Sequence, residues 1–199
     1  MLPLAMKRSG FWVLAFAVLL LRVPFLNHAI QGDDIYYLEG AQHAQIEPLH
    51  PTNVEYVFLG DRVDMRGHPH PPLNAWILGL TLAALGDVEE IPFHAVYLVL
   101  SLAAVWGVWR LAVRFTTAPV MAGLLFLSTP AFVINGNSLE SDLPLLAFWI
   151  AGLAVWVDGV DARCWGRVLA GSILFTAACF AAYQAVPLLA VAGLYLWLH

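Results

Sequence analysis

Long apolar stretches alternate with short polar junctions along the chain, and only one polar interval is long. Five apolar runs, at about 10–26, 93–109, 117–135, 143–157 and 168–198, reach or approach the ~17–25 residues a helix needs to cross hydrocarbon. The last is interrupted at Ala182-Tyr183-Gln184, with Pro187 just beyond. It therefore reads as one helix ending near Phe180 and another starting near Ala185. The pattern predicts an all-α fold, a polytopic transmembrane helix bundle of about six spans in a single membrane domain over 1–199. Its first span is 10–26, a polar segment fills 27–92, and five further spans occupy 93–199. One further apolar run, Pro72 to Gly86, is short for a span and reads as an amphipathic or re-entrant helix.

Charge decides how that short run is read. If it does not cross, Lys7, Arg8, Arg110, Arg114, Arg163 and Arg167 all fall on the cytoplasmic side. Asp87, Glu89, Glu90, Glu140 and Asp142 then fall outside, the distribution positive-inside orientation prefers. If it crosses, Arg110 and Arg114 move outside. The expectation is thus one large extracytoplasmic first loop, 27–92, with juxtamembrane helices, in an integral protein of the inner or plasma membrane whose active face is extracytoplasmic. Composition agrees, with 61% hydrophobic and 12% charged residues, and a net charge of -5 offers no basic stripe for nucleic acid. The first run has no small-residue cleavage site before Arg22-Val23-Pro24 and reads as an uncleaved anchor. Cys164 and Cys179 have neither metal nor redox spacing and read as packing residues.

Six of the seven histidines and ten of the fourteen acidic residues lie in or at the border of the 27–92 segment, so chemistry is sought there. Asp33 and Asp34 stand at the start of a predicted helix, where they either cap its free N–H groups or form a carboxylate pair in which one member serves as general base. Tyr37 lies one turn beyond Asp33, on the same helix face, though tyrosines also belt membrane interfaces without further function. Arg22, near the outer end of the first span, either binds a phosphate or snorkels to the headgroups. Three prolines hold His68 and His70 on a stiff, extended stretch. Zinc binding there lacks a third ligand at usual spacing, so a divalent metal is a possible cofactor and none is certain. Glu140 and Asp142, between the third and fourth spans, and Gln184, between the last two, return polar groups to the same face. Asp142 is also placed to cap the fourth span, with Pro144 in its first turn.

The order of these residues resembles the N-terminal module of the GT-C glycosyltransferases, in the branch of the protein O-mannosyltransferases and lipid A aminoarabinose transferases. Asp33-Asp34-Ile35-Tyr36-Tyr37 resembles the Asp-Glu-x-x-Tyr motif of the first extracytoplasmic loop, with Asp34 in place of Glu. His70-Pro71-Pro72-Leu73 matches the motif later in that loop, and Glu140-Ser141-Asp142 resembles the acidic motif at an outer span end, without the usual Arg. The resemblance implies an inverting transfer of a sugar from a polyprenyl-phosphate donor to an extracytoplasmic lipid or protein acceptor. Asp33 would be the general base with Asp34 beside it, and Arg22, Tyr37, His70, Glu140, Asp142 and Gln184 would bind substrate. Relatives of this kind usually continue into further spans, so the C-terminal part of the family is expected to be absent from this chain.

Two other classes fit the composition. A transporter subunit would place its polar groups near the membrane midplane, whereas here they cluster at one surface. A non-catalytic membrane scaffold or truncated paralogue of the same fold would keep its function without Asp33.

Overall fold

The computed structural model describes residues 4–67 and 70–199, with side chains from Ser9 onward, and within them the apolar runs fold as helices. In chain order these are α1 (Leu4–Arg22), α2 (Asp34–His43), α3 (Leu73–Leu85), α4 (Glu90–Phe115), α5 (Pro119–Leu127), α6 (Pro130–Val133), α7 (Asp142–Asp161), α8 (Trp165–Ala181) and α9 (Pro187–Leu198). The last two are separated by a 3-10 turn, Tyr183–Ala185, just before Pro187.

Among the described residues one element, a two-stranded hairpin, departs from an all-α chain. Glu55–Phe58 (β1) and Asp61–Asp64 (β2) pair antiparallel with Phe58 opposite Asp61, which leaves Leu59 and Gly60 as a two-residue turn. Both have positive φ, +53° and +95°, as the turns whose twist suits a hairpin require. Leucine is an unusual residue there, so the segment carries no ordinary hairpin signal.

Among the described residues two helices, α4 and α7, are long and apolar enough to cross a membrane, or three spans if the bent pair Pro119–Leu127 and Pro130–Asn137 counts as one. α1, α8 and α9 are shorter apolar helices. Outward-facing side chains on α1 such as Trp12, Phe16 and Leu20 are exposed, so this surface is as apolar as the interior and suited to lipid. At 13 residues, α3 is about 20 Å long and short of the ~30 Å hydrocarbon core. It packs on α2, where Gly79 meets Ala41 and Ala44, and Gln45 Nε2 donates to both the Ala41 and Gly79 carbonyls.

The run 117–135, expected as one continuous span, is broken and bends by 64°. Pro130 has no N–H to continue the ladder of α5. Thr129 instead starts a new short helix, its Oγ1 accepting from Phe132 N, and a 3-10 turn, Asn135–Asn137, follows.

Leu14, Val18, Val105, Leu127, Phe132 and Leu143 belong to one core shared by α1, α4, α5, α6 and α7. Small residues let the helices touch: a Cβ at Gly107 of α4 would lie 2.7 Å from the Ala151 backbone nitrogen of α7, and one at Gly171 of α8 would lie 2.6 Å from Trp156 Cβ. One end of the bundle carries the Arg110–Asp158 and Arg114–Asp161 ion pairs, with the Tyr195 hydroxyl donating to Asp161. The starts of α2, α4 and α7 gather at the other end.

Candidate active site

Gly32, with φ +62°, turns the chain between α1 and α2, so that Asp33 and Asp34 head α2. Neither carboxylate caps that helix, contrary to the capping expectation. Asp33 is exposed, and Asp34 is buried with its Oδ1 accepting from the backbone N–H of Leu139 at 2.6 Å. The Leu139 carbonyl is held in turn by Asn74 Nδ2 at 2.8 Å and by the Tyr97 hydroxyl at 2.7 Å, which also lies against Asn74 Oδ1. One residue of the α6–α7 loop is thereby gripped, its N–H by α2 and its carbonyl by α3 and α4.

Arg22 is 3% exposed and faces neither solvent nor headgroups. Its Nε donates to Ser101 Oγ at 3.1 Å, its Nη2 to the Phe132 carbonyl at 2.5 Å and its Nη1 to the Val133 carbonyl at 3.4 Å, while its guanidinium lies 4.4 Å from the centre of the Phe132 ring. These carbonyls sit where the broken 117–135 run leaves its helix; Val133 also accepts from Asn137 Nδ2 at 3.0 Å, so it is the Phe132 carbonyl that the arginine keeps from being stranded by burial. Gly136 makes this possible, since a Cβ there would lie 1.8 Å from Nη2.

An open cleft of about 600 Å³ lies between the α1–α2 connection and the α6–α7 loop, with His28, Gln31, Asp33, Asp34, Ser138 and Glu140 among its walls. Burial pushes the Asp34 carboxyl up from its ordinary value, only partly opposed by the Leu139 N–H and by His94 and His28. Glu140, half-buried, is pushed up first by burial and then by the negative charges of Asp142, Asp34 and Asp33. Crowded carboxylates of raised basicity beside open space are the arrangement expected where a proton is taken from a substrate hydroxyl.

The sequence profile of the family described as dolichyl-phosphate-mannose-protein mannosyltransferase matches residues 69–199 of this chain. The chain belongs to this family. As a family member it is an integral membrane protein and a glycosyltransferase of GT-C type. The matched segment begins beside His70-Pro71-Pro72-Leu73 and includes Glu140 and Asp142, while Asp33 and Asp34 precede it. No curated protein and no solved structure matches the chain.

The remaining candidates of this mannosyltransferase-family chain do not all meet in the cleft. Tyr37 and His70 are half-buried, with ring centres 5.8 Å apart, and line a small separate cavity with Asn74 and Ser141. Burial pushes the Tyr37 hydroxyl well up, opposed by its hydrogen bond to Ser141. Burial likewise lowers the His70 imidazole, against the Asp142 charge and a hydrogen bond to the Ala181 backbone. Asp142 is exposed in the first turn of α7 and makes no side-chain cap, and Gln184 is exposed on the Tyr183–Ala185 turn, outside the walls of the cleft. His68 lies outside the described residues. Among those described, no group of three His, Cys, Asp or Glu side chains is arranged to hold a metal ion, so no step is assigned to one.

Asn74, Tyr97, Ser101 and Gly136 are absent from the sequence-based candidates. A trace of three was visible, because Asn74 directly follows the His-Pro-Pro-Leu motif and Tyr97 and Ser101 interrupt an apolar run, whereas nothing in the sequence marked Gly136.

Proposed function

We propose that the chain transfers a sugar from a polyprenyl-phosphate donor to an acceptor hydroxyl or phosphate on the extracytoplasmic side, with inversion, in the cleft walled by Asp33 and Glu140. Asp33, exposed at the cleft wall, takes the proton as the acceptor oxygen bonds to the anomeric carbon. The bond from that carbon to the phosphate oxygen breaks, and its electron pair leaves with the polyprenyl phosphate. Asp34 has its carboxylate on the Leu139 amide and keeps the Glu140 loop against the cleft. The observation that carries this reading is the meeting of Asp33 and Asp34 with Glu140, which follows Asp34 by 106 residues, around one open space in a chain of this family.

The test is transfer of radiolabelled sugar from polyprenyl-phosphate sugars to membrane acceptors by wild type and Asp33→Asn. A loss of at least about 100-fold is expected, the scale of general-base catalysis. Equal turnover by both proteins removes Asp33 from the chemistry, and undiminished biological function of the variant favours a scaffold.

Orientation is tested with a membrane-impermeant maleimide in a Cys179→Ala background. Asp61→Cys, on the exposed hairpin, is expected to label in intact cells, and the exposed Cys164, between α7 and α8, only after permeabilisation. Labelling of Cys164 from outside would invert the proposed topology.

A further inference from the structure

The sugar-transfer reading uses one end of the bundle and leaves the charges of the other end unexplained. There the acids are already paired, Asp158 with Arg110 and Asp161 with Arg114 and the Tyr195 hydroxyl. Arg163 and Arg167, in and just after the α7–α8 turn, are exposed and make no ion pair among the described residues. Arg163 also stands where a side chain is costly. Its φ of +49° is left-handed, and Arg163 N and Cys164 N donate to the Val160 and Gly159 carbonyls at 3.1 and 2.8 Å, a helix ending at which glycine is the usual residue. Arg167 rises from a fixed stem, since a Cβ at Gly159 would lie 2.9 Å from its own Cβ. Both guanidinium groups therefore leave the same turn. Trp165, 83% exposed, opens α8, and Leu169 and Ile173, one and two turns on, are exposed on the same face. Trp197, 81% exposed, stands near the end of α9, which the contact of Arg114 with Tyr195 brings to this end of the bundle. Apolar faces that run up to exposed tryptophans mark the level at which lipid tails give way to headgroups.

We propose that Arg163 and Arg167 form a docking surface for anionic phospholipid headgroups, at the place where the lipid-facing side of α8 reaches the bilayer surface. Charge complementarity selects the occupant. With Arg110 and Arg114 matched by Asp158 and Asp161, the two remaining arginines carry an excess of positive charge, and a guanidinium presents a fork of N–H donors to phosphate oxygens. Continuity with the apolar stripe selects a lipid over an acidic protein segment. Trp165, Leu169 and Ile173 continue directly from the arginine-bearing turn and suit the acyl chains of the same lipids whose phosphates the arginines hold. Anchored in this way, the turn fixes the depth of α7 and α8 in the bilayer. The proposal goes beyond the sugar-transfer reading and does not depend on it.

The test uses the full chain in a Cys179→Ala background, so that a bimane probe sits on the exposed Cys164 alone, between the two arginines in sequence. In bilayers of neutral phosphatidylcholine, quenching is compared for phosphatidylglycerol and phosphatidylcholine that each carry a nitroxide near the top of one chain. The unaltered turn is expected to favour the anionic lipid at least about fivefold, the scale of one arginine near an anionic surface, and to lose most of that preference in high salt. Arg163→Gln with Arg167→Gln is expected to bring the ratio below about twofold, and Arg163→Lys with Arg167→Lys to retain most of it. Arg163→Gly is the control for folding. It relieves the left-handed backbone, so it is expected to melt no lower than the parent in detergent while its lipid preference falls. Equal quenching by the two lipids before any arginine is changed overturns the proposal and leaves the arginines to an acidic protein partner. A preference that survives the double glutamine substitution overturns it as well.

Discussion

Replacing Gly136 by alanine is expected to unseat the loop that carries Glu140, with sugar transfer falling by more than about tenfold and stability by roughly 1–3 kcal/mol, the usual scale of overpacking. The new methyl group would lie 1.8 Å from Arg22 Nη2, so one of the two must move. Neither has room to do so cheaply. Arg22 is anchored on Ser101, Phe132 and Val133, and Gly136 opens the stretch that leads to Leu139. Arg22→Met on its own removes the donor from the Phe132 carbonyl at the end of α6, with an expected cost of about 1–3 kcal/mol, while the Val133 carbonyl keeps Asn137 Nδ2. Because the two residues share one contact, the Arg22→Met, Gly136→Ala double variant is expected to lose clearly less than the sum of the single losses. Thermal unfolding of the four proteins in detergent measures this. Strict additivity would mean that the arginine does not hold the loop.

The second large effect is expected at Asp34. Asp34→Ala leaves the buried Leu139 N–H without its acceptor, about 1–3 kcal/mol, and releases the α6–α7 loop from α2. Asp34→Asn keeps an oxygen for that N–H and loses only the charge. Stability is therefore expected to be lowest for Ala, with Asn close to wild type because the charge it removes is the one burial disfavours, and transfer by the Ala variant is expected to be lower by at least about 100-fold. An Ala variant with wild-type melting temperature would dissociate the loop from the carboxylate.

The pH dependence carries a sign that distinguishes activity from stability. Asp34 and Glu140 are both raised, so the folded chain holds their protons at a pH where the unfolded chain has released them. By linkage these two groups favour the fold at low pH. Their contribution is lost as pH rises from the ordinary carboxylate range, near ~4, through their raised values. On the proposed mechanism transfer uses charged carboxylates at this cleft and is expected to run the other way, falling as pH drops into that same window. Asp64, held down to about 2 by Arg66, keeps its pairing until pH falls below the ordinary carboxylate range. Transfer and melting measured on one sample from pH 7 to 5 should therefore diverge, with activity declining before stability does. Parallel decline would assign the acid limb to unfolding.

How much of this was legible in the chain differs from element to element. The break between α8 and α9 could be read because Pro187 and the polar Tyr183-Gln184 pair sit inside the apolar run itself. The break at Pro130 was equally local in its cause and was still missed, because 117–135 is apolar throughout its first half and a proline alone often only kinks a helix. Such a break survives at membrane depth only if the carbonyls around it find donors: Ser128 and Thr129 serve those at the end of α5, while at the end of α6 the Phe132 carbonyl takes its donor from Arg22, more than a hundred residues earlier. The hairpin Glu55–Asp64 was missed for another reason: Leu59 takes a left-handed turn conformation that its identity does not advertise.

The candidate site divides along the same line. Asp33 and Asp34 stood out as a pair after a span, but nothing in their order says which one is exposed and which is buried on a distant amide.

From the sequence by itself came the membrane class, the acidic interval, the motif order and the family resemblance, since these depend on composition and on contacts within a few residues. The tertiary structure alone decided that Arg22 serves the bundle interior, that Asp34 grips Leu139, and that Tyr37 and His70 line a cavity apart from Asp33. Each of those outcomes depends on which buried polar groups meet across the bundle, and in a dry interior that pairing is set by where the helices pack and not by any local preference of the residues involved.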